Sequence, residues 1–179
     1  MPIRFSSSIL ILPFFPFMIK FLFLFCVLAL IGIAALEWEM LLPAINFFCF
    51  ILANVAGVFI HLFDNSLIIT GPVLRHGHHG FALEIAKECS GLSASWLLIV
   101  AIVAFESPWK HKLWGMVIGL LIIQTINLIR IISLYYIGDW LPDYFVLIHE
   151  QVWPILLNIS MIFIFGGWLF YTMTHSTKS

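Results

Sequence analysis

The sequence predicts an all-α fold: a polytopic transmembrane helix bundle with a short extracytoplasmic loop or hairpin ahead of Cys89. Three observations carry this expectation. Hydrophobic residues make up 63% of the chain and charged residues 9%, with a mean hydropathy of +1.11, against about a quarter charged in a typical soluble domain. Five apolar stretches, 21–36, 41–63, 90–105, 114–137 and 149–173, run near or beyond the length that crosses a bilayer. The polar residues and turn-forming glycines gather in one region, 64–88. The 179 residues are therefore expected to form a single integral membrane domain. Its partner on this ground is the lipid bilayer. A net charge of −1, with no basic patch interleaved with aromatics, excludes nucleic acid.

Taken in order, Lys20 ahead of stretch 21–36 reads as a signal anchor. Ala34-Ala35-Leu36 is a poor cleavage site, so the segment is expected to be retained. Stretch 41–63 is long enough to span but carries Pro43, Asn46, Asn54, Gly57 and His61. In 64–88, Gly71-Pro72, Gly77 and Gly80 mark turns, and 66–70 and 80–85 suit short strands or a hairpin. Stretch 90–105 is a third crossing, followed by a connector holding Lys110, His111 and Lys112. Stretch 114–137 is the fourth. Asp139, Pro142 and Asp143 then lead to the last, with Pro154 near its start.

The fourth stretch holds the most informative residue, Arg130. An ionisable side chain deep in an apolar helix is costly without partners and marks a functional site. Gln124, Asn127, Arg130 and Ser133 follow one another at intervals of three, which on a helix makes a slowly winding polar ladder.

Loop charges give the orientation. Lys110 and Lys112, and the tail with Lys178, mark the cytoplasmic side. Arg130 then lies roughly 24 Å along its helix from Trp114, near the outer face of a core about 30 Å thick. Cys89 and His149 begin the third and fifth stretches on the same side. Arg4 and Lys20 fit this scheme if 41–63 does not cross fully, which is the reading favoured here.

A thiol, a guanidinium and an imidazole at one depth are the parts of acyl transfer through a thioester. Cys89 at a helix N-terminus, beside Arg130, is expected to favour thiolate, with Glu88 opposing unless it points elsewhere. His149 moves a proton near neutral pH. Arg130 offers fixed donors to an oxyanion. Ser90, Gly91, Ser93 and Ala94 are small and let a helix or a substrate backbone approach closely. Each residue alone also has a plain reading: an inert cysteine, an interfacial histidine, a snorkelling arginine.

The stretch Glu88-Cys89-Ser90-Gly91-Leu92, then Asn127-Leu128-Ile129-Arg130-Ile131, then Phe145 through His149 to Trp153, resembles the exosortase/archaeosortase family, nearest the short variant called exosortase H. The resemblance runs from about 71 to 168; the first seventy residues share only hydrophobic character. It implies a membrane cysteine transpeptidase or protease of the cell inner membrane, with its active site facing the extracytoplasmic side. It would act on proteins bearing a C-terminal sorting signal of short motif, transmembrane helix and basic tail. Cys89, Arg130 and His149 would be catalytic, Asn127 would orient Arg130, and no cofactor or metal would be required.

Two other classes compete. His76, His78 and His79, with His61 and Glu84, suit a metal-binding membrane protein, although the His-Glu-x-x-His pattern is missing. A small transporter or assembly subunit would use Gln124, Asn127 and Arg130 to line a path or lock helices.

Overall fold

A computed structural model describes residues 14–77 and 80–176. It is helical apart from one small sheet. The long helices are α1 (Phe14–Leu36), α2 (Leu42–His61), α4 (Trp109–Trp140) and α6 (Trp153–Ser176); α3 (Leu92–Ala104) and α5 (Pro142–Leu147) are short. Four helical segments are long and apolar enough to cross a membrane: Pro16–Leu36, Glu39–His61, Trp109–Trp140 and Pro142–His175. The chain is thus a multi-pass membrane protein.

The helix ends follow from local chemistry. Pro43 and Pro142 occupy the first turns of α2 and α5, where a missing N–H costs nothing. Pro108 separates α3 from α4, and Leu141, forced out of the helical region by the proline after it, ends α4. Between α5 and α6, Ile148–Val152 form a single π-turn in which the Trp153 amide reaches back to the Ile148 carbonyl. Pro154 has no N–H to give the Glu150 carbonyl, so the usual ladder fails there and one wider turn absorbs the mismatch. The last apolar stretch therefore starts at Pro142, earlier than the expected 149.

The bundle has two cores. The inner one joins α3, α4 and α6 through Leu98, Ile102, Ile123 and Trp168. Gly115 and Gly119 of α4 make it tight: a Cβ there would fall 2.3 Å from Trp168 and 2.5 Å from Leu98. At this end Lys20 pairs with Glu106 at 2.5 Å, Lys112 Nζ donates to the Val103 carbonyl, and Trp168 Nε1 donates to the His111 carbonyl. Phe23, Leu121 and Phe163 stand 65–75% exposed on α1, α4 and α6, as a lipid-facing belt requires.

The outer core is built around α2. Ile45, Cys49, Ala53, Ala56 and Ile60 pack with Ile131, Leu134 and Tyr135 of α4 and with the sheet. No α2 residue enters the inner core. The sheet is antiparallel in the order β1 (Leu67–Thr70), β2 (Val73–His76), β3 (Ala82–Glu84). Leu67, Leu74 and Leu83 turn one face inward. Gly71, at φ +61°, opens the two-residue turn that joins β1 to β2. The sequence reading foresaw β1 and β3 but missed β2: it treated Gly71-Pro72 as a break, whereas a two-residue turn needs a strand on both sides.

A polar latch fastens the sheet to α4. Asp64 accepts from the Ser66 amide (2.8 Å), the Ser66 hydroxyl (2.6 Å) and the Tyr135 hydroxyl (3.0 Å). His76 Nε2 lies 2.9 Å from Ser66 Oγ and 3.5 Å from Asp64. The Ser66 hydroxyl is the main reason that the Asp64 carboxyl sits below the usual carboxylate range. A carboxyl lowered on folding stabilises above its unfolded value, about 3.9, and loses that contribution as pH falls through the folded one. In detergent, Asp64→Asn is expected to lower the melting temperature by a few degrees at neutral pH, for about 1 kcal/mol. The difference from the parent should vanish towards pH 2. An equal difference at both pH values would show that the latch does not depend on the carboxylate.

Candidate active site

Cys89 ends a short 3-10 turn, Lys87–Cys89, and is buried in the outer core. Gly91 follows at φ +72°, so the chain turns through a left-handed residue before α3 begins at Leu92. A Cβ on Gly91 would also lie 3.0 Å from the Asn127 side chain. Ser90 is fully buried; its hydroxyl donates to the Lys87 carbonyl and accepts from the Leu92 amide, bracing the turn that carries the thiol. These contacts assign Ser90 and Gly91 to the shape of the loop.

Arg130 is 5% exposed, one turn beyond Asn127 on α4. Its Nη2 donates to Cys89 Sγ at 3.6 Å. From the π-turn, His149 Nε2 approaches the same sulfur at 3.1 Å. Three side chains separated by 41 and 60 residues in sequence thus meet at one atom. No carboxylate forms an ion pair with Arg130 among the described residues, and its Nε has no partner there. Asn127 is fully buried, and neither its Nδ2 nor its Oδ1 finds a partner among them. Leaving such an amide unpaired costs about 1–3 kcal/mol, so the site holds donors and an acceptor that a ligand can satisfy.

The imidazole is oriented by ring stacking. Phe145 lies parallel to His149, with centroids 5.5 Å apart and planes 6° apart, and Phe81 meets Phe145 edge-on at 5.6 Å. Phe81 is seated over Gly138, where a Cβ would fall 1.9 Å from the ring. Phe145 lay within the sequence block quoted above, but neither it nor Phe81 was singled out. The i, i+4 spacing of Phe145 and His149 is a helical signal that went unread, whereas the edge-on contact of Phe81, far away in sequence, leaves none.

The thiolate expectation needs correction. Burial pushes the Cys89 thiol above the usual thiol range; Arg130 pulls it back in part, and Glu88 adds to the rise. Cys89 stands three residues before the first residue of α3, with Gly91 as its N-cap, so it is not itself part of that helix. Glu88 itself is exposed, 4.0 Å from Lys87. Of the loop histidines, His76 belongs to the latch, and His78 and His79 lie outside the described residues. Among the described residues no three His, Cys, Asp or Glu side chains gather as metal ligands.

Residues 5–174 match the family described as transmembrane exosortase. The chain belongs to that family. The match covers nearly the whole chain, including the first seventy residues that resembled the family only in hydrophobic character. No curated protein and no solved structure matches it. For this exosortase, the raised thiol has a measurable consequence. With Cys26 and Cys49, the other two free cysteines, replaced by alanine, iodoacetamide labelling of Cys89 in membranes should titrate above about 8.5, the value of a free thiol. Arg130→Leu should move the inflection higher still. An inflection well below the free value would mean that a Cys89–His149 ion pair already exists at rest.

Proposed function

We propose that this exosortase is a cysteine transpeptidase or protease that cleaves C-terminal sorting signals at the extracytoplasmic face of the cell inner membrane. The observation that carries the reading is the meeting of His149 Nε2 and Arg130 Nη2 at Cys89 Sγ. Because the thiol is raised, its proton leaves during attack rather than before it. His149 Nε2 takes the proton as Sγ bonds to the scissile carbonyl carbon. Arg130 holds the oxygen that becomes negative, and a buried donor with no competing carboxylate is worth most there. The C–N bond then breaks, and His149 returns the proton to the departing amine. A thioester remains on Cys89. An incoming amine or water, deprotonated by His149, attacks it and frees the thiol. Asn127, unpaired and beside Gly91, is suited to hold the substrate backbone.

Cys89→Ser is expected to reduce cleavage of a sorting-signal substrate by about 10³ or more. Arg130→Lys keeps the charge but loses the planar fork, and should reduce it by about 10²–10³. Recovery of a Cys89-linked thioester by mass spectrometry of membranes is the positive result. Normal processing by Cys89→Ser would sink the assignment and favour a transporter or assembly subunit.

We read the orientation from the packing of α2 together with the loop charges. Its residues share the core of Cys89, Tyr135 and the sheet, away from the Lys20, Glu106 and Lys112 end. Helices α1, α3, α4 and α6 then cross, with α5 and the π-turn leading into α6, and α2 lies along the outer face. Lys20, Lys110 and Lys112 all fall inside. At 13 residues α3 is about 20 Å long, short for a crossing, but α1, α4 and α6 surround it and shield its ends from lipid. A membrane-impermeant maleimide should therefore label single cysteines at Glu39 and at Asn65 from outside in intact spheroplasts. One at Lys110 should react only after permeabilisation. Labelling of Glu39 and Asn65 from opposite sides would make α2 a true crossing.

A further inference from the structure

Helices α1 and α4 both pack against α3, and between them lies a groove of about 490 Å³, lined also by Leu41 and by Phe48 of α2. Its floor is the α3 stripe Leu92, Ser95, Trp96 and Ile99, spaced as one helix face. One wall is the α4 stripe Leu120 and Gln124. Both stripes run towards the site: Cys89 lies three residues before Leu92, while Asn127 and Arg130 continue the α4 stripe one and two turns beyond Gln124. The groove is apolar except for one built feature. Gln124 Nε2 donates to Ser95 Oγ at 3.0 Å, leaving Gln124 Oε1 buried with no partner among the described residues.

We propose that this groove is the docking site of the substrate's own transmembrane helix. The proposal rests on the peptidase reading above and adds the route by which substrate reaches Cys89. A membrane-spanning helix laid between α1 and α4 covers the stripe from Leu92 to Ile99, about two turns. Its outer end then emerges beside Cys89, where the chain leaves helical form and presents a peptide bond to the sulfur. Gln124 Oε1 offers an acceptor to a hydroxyl or amide on that helix, within one or two turns of the scissile bond. The opposite groove between α4 and α6, lined by Trp114, Ile118, Phe163 and Trp168, is larger, about 660 Å³. It lies at the Lys112 end, away from the thiol, and its own buried unpaired atom, His111 Nδ1, belongs to that end as well.

The test uses the full-length enzyme in membranes with a photo-crosslinking amino acid at Ile99 or, as the comparison, at Phe163. The probe is an epitope-tagged exported protein of the same genome that ends in one apolar helix and a basic tail. The crosslinking variants carry Cys89→Ser, so that occupancy is read without turnover. Tagged adduct at Ile99, several-fold above that at Phe163, is the expected result. Adduct at Phe163 alone, adduct only with lipid or with a second copy of the enzyme, or no adduct at either position overturns the proposal. A second readout keeps the two readings apart. Ile99→Trp in the Cys89 enzyme should raise KM for the membrane-bound probe about tenfold or more, while the rate of Cys89 alkylation by iodoacetamide stays within twofold. If Cys89→Ser leaves cleavage intact, the peptidase reading falls whatever the crosslinks show. If Cys89→Ser abolishes cleavage but the crosslinks miss Ile99, this docking route alone falls.

Discussion

A guanidinium buried at the outer rim of the bundle, with no carboxylate beside it among the described residues, is the constraint around which the rest is arranged. An isolated charge in such surroundings costs several kcal/mol unless donors and acceptors are set to meet it. Here the nearest group is the Cys89 sulfur, and neither group is at rest in its best state. The thiol is raised by burial, and the arginine faces an uncharged partner. Formation of negative charge at the sulfur or at a nearby oxygen relieves both at once. That is the electrical condition an acyl-transfer site needs: a positive donor fixed before the charge it is meant to stabilise appears.

The two cores divide the work of holding this arrangement. In the inner core, Gly115 and Gly119 let α3 and α6 approach α4, the helix that bears Arg130, closely. The outer core, with the latch of Asp64, Ser66, His76 and Tyr135, holds the sheet over the far end of α4. The sheet in turn brings Phe81 against Phe145, and Phe145 lies flat on His149. The imidazole is thus steered from above and the guanidinium from below. The thiol arrives between them on a turn shaped by Ser90 and Gly91. A regular helix supplies Arg130, while a 3-10 turn and a π-turn aim the sulfur and the ring.

A site at the rim of a bundle has a choice of approaches, from the aqueous face or through the bilayer. The short α3 bears on that choice. It packs against α1, α4 and α6 and begins just after Cys89, and the route we propose for substrate runs along the face it leaves between α1 and α4. On that proposed route, a substrate already threaded through the membrane would reach the thiol by sliding sideways, without first exposing its apolar helix to water.

The sequence by itself determined the class of protein, the candidate residues and the family, because composition, apolar run length and an ionisable residue inside such a run report directly on the bilayer as solvent. Cys89, Arg130 and His149 were legible one by one for the same reason. What only the tertiary structure decided is long-range. It brought the three onto one sulfur atom and set burial against Arg130 in the thiol. It packed α2 into the core that also holds Cys89 and the sheet. It added β2, the ring stack of Phe81 on Phe145 on His149, and the π-turn that Pro154 imposes. The meeting at one sulfur, the packing of α2 and the contact of Phe81 with Phe145 depend on which distant segments come together, and hydropathy along the sequence carries no record of that; the π-turn is local and follows from Pro154.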